Sequence, residues 1–425
     1  MTKCTLDLKR LAIATCATLL AWLPLAEALA SEPATDPAAQ PAAGEVERGR
    51  YLATAGNCIS CHTAEEGQPF AGGLAFETPF GKLYSTNITP DENSGIGKWT
   101  QEQFARAVRE GVRPNGDHLY PAFPYTAYTK MSDEDVAALF AYIKTIKPVN
   151  APPPANEMGF PFNQRWALGI WKALFFDEGR FTADPKQSAE WNRGAYLVEG
   201  LGHCSACHSP RNFMGAEKSS MAMTGGEYND KIATGAVRAW GTPNLTNVSN
   251  GLESWPVEDL AAYLKTGRNS FAEVFGPMNE VVMNSTRHLQ PDDVKAMSVY
   301  LKSLPGNKGE VGKPADAETL HAGEVLYNLH CGTCHQPTGL GSRSQDAGAR
   351  LAGSPVVQAT NPAALINVIL YAPQLARLPT RRWKDMPAFE EKLADDEIAA
   401  IASYLRNAWG NVGGAVTEEQ VYKQR

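Results

Sequence analysis

The sequence predicts a mainly α-helical protein built from three tandem units of about a hundred residues each. The main observation is a Cys-x-x-Cys-His motif that occurs three times, at 58–62, 204–208 and 331–335. A short helical pattern precedes each motif, and an acidic, apolar-periodic pattern typical of a capped helix closes each unit. Strand patterns are few. Repetition of the whole block indicates internal duplication of one domain.

The two ends of each unit repeat in detail. An aliphatic residue precedes a tyrosine by six positions in all three closing helices: Val136 and Tyr142, Val294 and Tyr300, Ile398 and Tyr404. The opening helices share a glycine, in Arg48-Gly49-Arg50-Tyr51-Leu52, Arg193-Gly194-Ala195-Tyr196-Leu197 and Ala322-Gly323-Glu324-Val325-Leu326. Units one and two also share Asn87-Ile88-Thr89 and Asn244-Leu245-Thr246, each followed by a helix expected to end near Gly111 or Gly267.

The Cys-x-x-Cys-His motif is the attachment signal for a c-type haem. On one helical turn, residues i, i+3 and i+4 share a face, so both sulfurs reach one porphyrin and the histidine lies under the iron. We therefore predict three covalent haems, one in each class I cytochrome c-like domain. The thioether residues are Cys58, Cys61, Cys204, Cys207, Cys331 and Cys334, and the proximal ligands are His62, His208 and His335.

Two other uses of paired cysteines are less favoured. Zinc needs four ligands close together, whereas these pairs are more than a hundred residues apart in sequence. A redox Cys-x-x-Cys needs no following histidine, yet all three motifs have one. The motif therefore favours haem.

The N-terminal residues have the composition of a secretory signal, in which basic residues precede an apolar run and small residues precede a cleavage site after Ala30. The two remaining cysteines, Cys4 and Cys16, lie in this segment, so the mature chain is expected to have no free thiol and to be periplasmic. The predicted boundaries are 1–30 signal, 31–45 disordered leader, 46–150 domain one, 151–185 aromatic and Pro-rich linker, 186–305 domain two, 306–316 linker, 317–412 domain three and 413–425 polar tail.

The charge balance limits the possible partners. With 39 basic and 46 acidic residues, the chain has a net charge of −7, so nucleic acid and anionic lipid are poor partners for such a surface. Outside the signal, no stretch is long and apolar enough to span a bilayer. The aromatic segment Phe160–Phe176 allows two interpretations: a docking surface for a partner or the membrane, or packing between domains one and two.

A methionine opposite the histidine would complete the axial coordination of each haem iron and raise its reduction potential. In unit three, Met386 lies before the last helix. In unit two, Met278 after a Gly-Pro turn is preferred to Met283. In unit one, Tyr120-Pro121-Ala122-Phe123 occupies the place of Met386-Pro387-Ala388-Phe389, so Met131 is the predicted ligand and His118 is its rival. His203 and His330 directly precede motif cysteines and lie on the proximal side, so they cannot cross to the distal face of the same haem.

The chain resembles the three-haem cytochrome c subunits of bacterial membrane-associated dehydrogenases, which oxidise alcohols, gluconate, sorbitol or fructose. The resemblance rests on Asn87-Ile88-Thr89-Pro90-Asp91, Gly95-Ile96-Gly97, Leu119-Tyr120-Pro121-Ala122-Phe123-Pro124-Tyr125, Lys265-Thr266-Gly267-Arg268-Asn269, Gly276-Pro277-Met278 and Met386-Pro387. It covers nearly all of the mature chain.

The resemblance implies a role in electron transfer. A large flavin- or PQQ-dependent dehydrogenase subunit, with or without a small subunit, would oxidise the substrate, and this chain would pass electrons towards ubiquinone at the outer face of the inner membrane. Attachment to the membrane would be peripheral or through the partner. The alternatives are a free-standing periplasmic shuttle, the cytochrome subunit of a molybdopterin-dependent dehydrogenase, and a haem peroxidase. The last requires an open iron position, which three available methionines disfavour.

Overall fold

Each unit is organised around a helix that leads into the motif and a closing helix that crosses it. The computed structural model describes residues 43–341, 347–375 and 384–425. Unit one contains α1 (Ala43–Ala55), α2 (Cys58–Cys61), β1 (Ala75–Thr78), β2 (Gly81–Tyr84), α3 (Gln101–Glu110), α4 (Tyr125–Tyr128) and α5 (Asp133–Ile143), and the segment that follows contains β3 (Glu157–Met158) and α6 (Ala167–Phe175).

Units two and three follow the same order of opening helix, motif turn and closing helix. Unit two contains α7 (Ala189–Tyr196), a π-helical turn (Leu197–Leu201), α8 (Ser205–His208), a 3₁₀ turn (Ser219–Met221), β4 (Gly226–Lys231), β5 (Val237–Thr242), α9 (Val257–Thr266), α10 (Met278–Asn284), a 3₁₀ turn (Thr286–His288) and α11 (Pro291–Ser303). Unit three contains α12 (Ala317–His330), α13 (Gly332–His335), α14 (Ala363–Tyr371), α15 (Asp395–Asn407) and α16 (Glu418–Tyr422). The strands form two small antiparallel sheets, β1-β2-β3 and β4-β5, so the described chain is helix-rich.

The repeated glycines lie where the opening and closing helices touch, α1 on α5, α7 on α11 and α12 on α15. A methyl group on Gly49 would be 1.8 Å from the carbonyl oxygen of Ala138, well inside contact distance. The corresponding separations are 2.0 Å from Gly194 to Ala296 and 2.1 Å from Gly323 to Ala400. Glycine is therefore required in all three units because the two helix backbones approach each other directly.

The helix ends in units one and two agree with the sequence prediction. Gly111 follows α3 with φ 62°, and Gly267 follows α9 with φ 81°. This left-handed conformation is unstrained only for glycine, which makes glycine the usual residue after a helix. At its start, α3 has a capping box in which Thr100 and Gln103 exchange hydrogen bonds.

Units one and two pack against each other through one apolar core and a reciprocal set of polar contacts. Asp135 of α5 accepts hydrogen bonds from Arg48 of its own unit, at 2.7 Å, and from the Tyr196 hydroxyl of unit two, at 2.5 Å. The arrangement is mirrored at Asp293 of α11. Its carboxylate accepts two hydrogen bonds from Arg193, at 2.8 and 2.7 Å, and one from the Tyr51 hydroxyl of unit one, at 2.6 Å.

Unit three has a core of its own, to which unit two contributes a few side chains. Buried Ile232 and Trp240 of unit two belong to this core, and Phe275 packs against it. The segment 413–425 is folded onto unit three rather than extended. Val421 is fully buried there, and the Arg425 guanidinium donates to the backbone carbonyl of Leu393 at 2.7 Å.

The segment 151–185 combines a packed face with an exposed one. Trp171 is buried against Tyr125, and its indole nitrogen donates to the carbonyl of Met214 in unit two at 3.0 Å. This face therefore packs between units one and two, as one of the two interpretations expected. The other face of the segment, which includes Trp166 and Ile170, is exposed. The linker 306–316 has neither helix nor strand.

The predicted signal (1–30) and most of the predicted leader (31–45) lie outside the described residues. Across the ranges that are described, no helix is both long enough and apolar enough to cross a membrane.

Candidate haem-attachment sites

Each motif forms a single helical turn closed by the same backbone hydrogen bond. The amide of the histidine donates to the carbonyl of the first cysteine at 3.0 Å in all three units: His62 to Cys58, His208 to Cys204 and His335 to Cys331. The six motif cysteines are free of disulfides. In such a turn, residues i, i+3 and i+4 lie on one side, as attachment of both sulfurs to one porphyrin requires.

The three motif histidines make the same second contact. The Nδ1 atom of His62 lies 2.7 Å from the carbonyl oxygen of Thr86, that of His208 lies 2.9 Å from Pro243, and that of His335 lies 2.7 Å from Ala349. A carbonyl can only accept, so Nδ1 carries the proton and Nε2 keeps its lone pair. This is the usual arrangement of a metal-binding imidazole, and these residues therefore fit a haem iron.

A buried Asn-x-Thr pair holds the carbonyl that orients the histidine in unit one. Asn87 directly follows Thr86, and its side-chain oxygen accepts from the amide and the hydroxyl of Thr89, at 2.9 and 2.8 Å. Its side-chain nitrogen donates to the carbonyl of Val149, at 2.7 Å, after the closing helix. The shared Asn87-Ile88-Thr89 pattern is therefore a brace behind the histidine contact.

The same brace occurs in unit two, where Asn244 directly follows Pro243. Its side-chain oxygen accepts from the amide and the hydroxyl of Thr246, both at 2.8 Å, and its nitrogen donates to the carbonyl of Asn307 at 2.7 Å. Both Asn244 and Thr246 are almost completely buried. The two braces thus tie the histidine contact to the chain segment beyond the closing helix.

Unit three orients its histidine by a different device. Gly348 precedes Ala349, and its amide donates to the carbonyl of Cys334 at 2.9 Å. A methyl group on Gly348 would be only 2.6 Å from Cε1 and 2.7 Å from Nδ1 of His335. The imidazole therefore packs against the bare backbone of Gly348, a glycine that no sequence pattern singles out.

Burial sets the protonation states at the motifs. It lowers the pKa of His62, His208 and His335, which favours the neutral imidazole that binds iron. It raises the pKa of the Cys58 and Cys204 thiols to about 12, whereas zinc-binding and redox cysteines have lowered values. In the part of the chain that the structure describes, no three His, Cys, Asp or Glu side chains are grouped as a metal site requires.

The three methionines predicted as sixth ligands pack among apolar side chains, whereas their rivals Met283 and His118 contact polar groups. Met131 is fully buried in the core shared by units one and two, and Met278 packs against that core. Met386 packs against the core of unit three. The sulfur of Met283 accepts a hydrogen bond from Arg287 at 3.1 Å. His118 lies against α6, where its Nδ1 is 3.5 Å from the ammonium of Lys172.

His203 was expected on the proximal side of its own haem, but its imidazole also packs against unit one. The ring packs edge-on against Tyr128 at 5.6 Å between ring centroids, and the Tyr128 hydroxyl donates to the carbonyl of Gly56, two residues before Cys58, at 3.3 Å. The backbone of His203 is held at φ 36°, an uncommon conformation for a histidine. The first and second motifs therefore adjoin, which no local sequence signal indicated.

Helix pairs that enclose Cys-x-x-Cys-His turns with oriented histidines define a c-type cytochrome. Comparison with family models agrees: residues 46–147 match the family described as "Cytochrome c", and residues 318–405 match "Cytochrome C oxidase, cbb3-type, subunit III". Cytochrome c domains carry covalently bound haem c, so the family matches and the motif geometry indicate the same cofactor.

Relatives define the family more closely. The fructose dehydrogenase cytochrome subunit of Gluconobacter japonicus is 39% identical, over 89% of this chain and 82% of that protein. The alcohol dehydrogenase (quinone) cytochrome c subunit of Gluconacetobacter polyoxogenes is also 39% identical, over 89% of this chain and 84% of its own length. The chain belongs to the family of cytochrome subunits of bacterial dehydrogenase complexes, as the sequence resemblance predicted.

One relative is a much longer protein. A nicotinate dehydrogenase subunit of Pseudomonas putida is 42% identical over 86% of this chain, but the match spans only 30% of that protein. The cytochrome architecture of this chain therefore also occurs within a larger subunit of another dehydrogenase.

Proposed function

We propose that the chain carries three covalent haems and conducts electrons from a partner dehydrogenase to ubiquinone, in the periplasm at the outer face of the inner membrane. The observation that carries the proposal is the threefold repetition of one site. Each motif has the same closed turn, and each histidine has Nδ1 committed to a backbone carbonyl. Membership of a family of dehydrogenase cytochrome subunits supports the role in a complex.

In this proposal, each domain, 46–150, 186–305 and 317–412, holds one haem. When bound, each haem iron would supply one-electron oxidation and reduction. The thioether residues are Cys58 and Cys61, Cys204 and Cys207, Cys331 and Cys334, and the axial ligands are His62 with Met131, His208 with Met278 and His335 with Met386.

The protein side chains would set the properties of these sites. A methionine sulfur opposite the histidine gives the haem iron a higher reduction potential than a second histidine would. The apolar cores around Met131 and Met278, and around Met386, would exclude water from the bound group. The engagement of His118 by α6 supports Met131 in unit one, and the hydrogen bond from Arg287 to Met283 supports Met278 in unit two.

Mass spectrometry and subunit reconstitution test this function. Periplasmic protein should have lost residues 1–30 and gained three haem masses. The isolated chain should not oxidise gluconate, sorbitol, fructose, ethanol or aldehydes. Added to its dehydrogenase and substrate, it should be reduced at all three haems and reoxidised by a ubiquinone analogue. Two haem masses, peroxide consumption by the isolated chain, or failure to co-purify with any dehydrogenase would each overturn the proposal.

Two kinds of partner dehydrogenase are candidates. A large flavin or PQQ enzyme acting on a sugar, a sugar acid or an alcohol is favoured by the relatives that match this chain over most of their length. A molybdopterin-dependent enzyme is the second candidate, and its support is the 42% identity to a subunit of nicotinate dehydrogenase, whose name indicates neither a sugar nor an alcohol as substrate. Identifying the cofactor of the co-purifying subunit distinguishes the two.

A further inference from the structure

The segment that carries Met278 is held by unit three as well as by its own unit. Phe275 pairs with Leu375 in an isolated antiparallel bridge, and its ring packs against the core of unit three. The amide of Gly276 donates to the carbonyl oxygen of Gln374 at 3.2 Å. The two units are therefore joined through their backbones directly before the predicted ligand.

A side chain on the other side of Met278 reaches the same carbonyl. The Nδ2 atom of Asn279, the residue after Met278, donates to the Gln374 oxygen at 2.5 Å. Hydrogen bonds from two residues before the methionine and from one residue after it thus converge on one oxygen atom of unit three. The Oδ1 atom of Asn279 is buried and accepts no hydrogen bond from the described residues, so Gln374 orients the side-chain amide.

The accepting carbonyl is itself fixed against unit two by α14. Asn367, in the middle of this buried helix, donates from its side chain to the carbonyl of Ala239 in β5 at 2.9 Å. A methyl group on Gly241 of the same strand would be 2.0 Å from the carbonyl oxygen of Asn361, so the two backbones approach each other directly. The helix ends three residues before Gln374, and its docking on β5 therefore sets where the Gln374 carbonyl lies.

The turn before Met278 is rigid. Gly276 has φ 56°, a left-handed value that favours glycine. A methyl group there would be 2.6 Å from Cζ3 of Trp240, which is buried in the core of unit three. Pro277 follows with φ −57°, the value to which its ring restricts the backbone. The position of Met278 therefore depends on the groups that this turn and the start of α10 contact.

We propose that Asn279 is a positioning residue for the haem of unit two and acts through its hydrogen bond to Gln374 of unit three. By fixing the first turn of α10, this bond holds the Met278 sulfur at the iron. Groups that orient a metal ligand from behind control how strongly the ligand binds the metal. Unit three therefore sets the axial coordination, and with it the reduction potential, of a haem that is attached to unit two. This inference rests on the proposed function, because it takes Met278 as the sixth ligand.

Spectroscopy of the mature holoprotein tests the proposal with two variants, Asn279→Ala and Asn279→Asp, the second of which keeps the size of the side chain but lacks the donor. Each variant should lose about a third of the sulfur-to-iron absorption of the oxidised protein, because one of the three proposed methionine ligands is released. A redox titration should show the potential of one haem lowered and the potentials of the other two unchanged. Circular dichroism should show both variants folded.

The matched control is Asn284→Ala, at the opposite end of α10. Asn284 is exposed, and its side chain donates to the hydroxyl of Ser60 in unit one at 2.8 Å. Its replacement therefore removes a hydrogen bond between the same helix and a different unit. The control should keep the whole absorption band and all three potentials.

Two outcomes would overturn the proposal: an Asn279→Ala holoprotein with the full band and unaltered potentials, or a control that loses as much of the band as Asn279→Ala. If Asn279→Ala does not fold, Asn279→Asp decides by the same criteria. Met278→Ala separates this inference from the proposed function. If Met278→Ala removes about a third of the band and Asn279→Ala does not, only the positioning role is wrong. If Met278→Ala leaves the band intact, the ligand assignment in the proposed function is wrong as well.

Discussion

Units one and two are paired, and unit three is built on the same plan without the pairing residues. Tyr51 and Tyr196 reach across to the carboxylates of Asp293 and Asp135. The corresponding tyrosine position in unit three is Val325, which is 54% exposed. The arginine that accompanies the tyrosine in the first two units is also absent from unit three, where Ala322 occupies that position. The same helical scaffold is therefore joined to its neighbour by tyrosine–aspartate hydrogen bonds in units one and two, and lacks the residues for these bonds in unit three.

The same division separates the histidine contacts. Units one and two hold the accepting carbonyl with Asn87 or Asn244, whereas unit three presses the imidazole onto Gly348. Each device leaves Nδ1 bonded to a carbonyl, so the outcome for the histidine is the same. The comparison shows that the motif turn and the Nδ1 contact are common to the three units, while the means of support differs. Four predictions test this distinction, in order of expected effect.

Gly348→Ala should be the most damaging change because a methyl group cannot fit against the imidazole of His335. We expect destabilisation at the upper end of the about 1–3 kcal/mol typical of overpacking, with weakened ligation confined to unit three. Optical and EPR spectra should show one haem of altered spin state. Gly179→Ala is the control, since nothing lies within 4 Å of the added methyl group. Altered spectra from all three haems would contradict a local role.

Asn87→Ala should affect unit one alone. Removing the side-chain amide leaves the buried backbone amide of Thr89 without its acceptor, which costs about 1–3 kcal/mol, and leaves its hydroxyl only the longer contact with the carbonyl of Val149. The Thr86 carbonyl that orients His62 would be freed, so the EPR signal of that haem should change. Asn244→Ala should do the same in unit two.

The control for the asparagine brace is Asn93→Ala at an exposed position of the same unit, which should have little effect on unfolding by denaturant. Equal loss of stability in Asn93→Ala and Asn87→Ala would refute the brace.

Tyr51→Phe and Tyr196→Phe should weaken the pairing of units one and two by similar amounts, about 1 kcal/mol each, because each removes one hydrogen bond to a carboxylate. Denaturant unfolding would measure the loss. Tyr422→Phe, at a residue that is 71% exposed, is the control. If only one of the two variants is destabilised, the two tyrosine–aspartate hydrogen bonds do not contribute equally to the stability of the interface between units one and two.

Acid should weaken this pairing with a predictable sign. Burial opposes ionisation of Asp293, but hydrogen bonds from Arg193 and Tyr51 prevail and hold its pKa below the ordinary 3.8. A carboxyl whose folded pKa is lowered stabilises the protein above its unfolded pKa, and this contribution is lost as the pH falls through the lower folded value.

Thermal unfolding between pH 5 and about pH 3 should therefore show a loss of stability that is smaller in Asp293→Asn than in the wild type. Identical pH dependence of the two proteins would mean that Asp293 does not contribute.

The sequence by itself determined the features that depend on near neighbours. The motif turns, the closing helices and the glycines after α3 and α9 could all be predicted, because i, i+3 and i+4 spacing and helix capping act over a few residues. The repeated Gly49, Gly194 and Gly323 were visible as a pattern, but their cause was not. Only the crossing of two helices shows that a carbonyl oxygen fills the space where a side chain would be.

The tertiary structure alone decided which distant groups meet. Tyr51 and Asp293 are 242 residues apart in sequence, and His203 of the second unit packs edge-on against Tyr128 of the first. Likewise, an aromatic segment does not reveal which of its faces is covered, and only packing against Tyr125 separates buried Trp171 from exposed Trp166. Such contacts depend on how whole units dock, and docking is governed by surfaces assembled from remote parts of the chain, which local spacing does not encode.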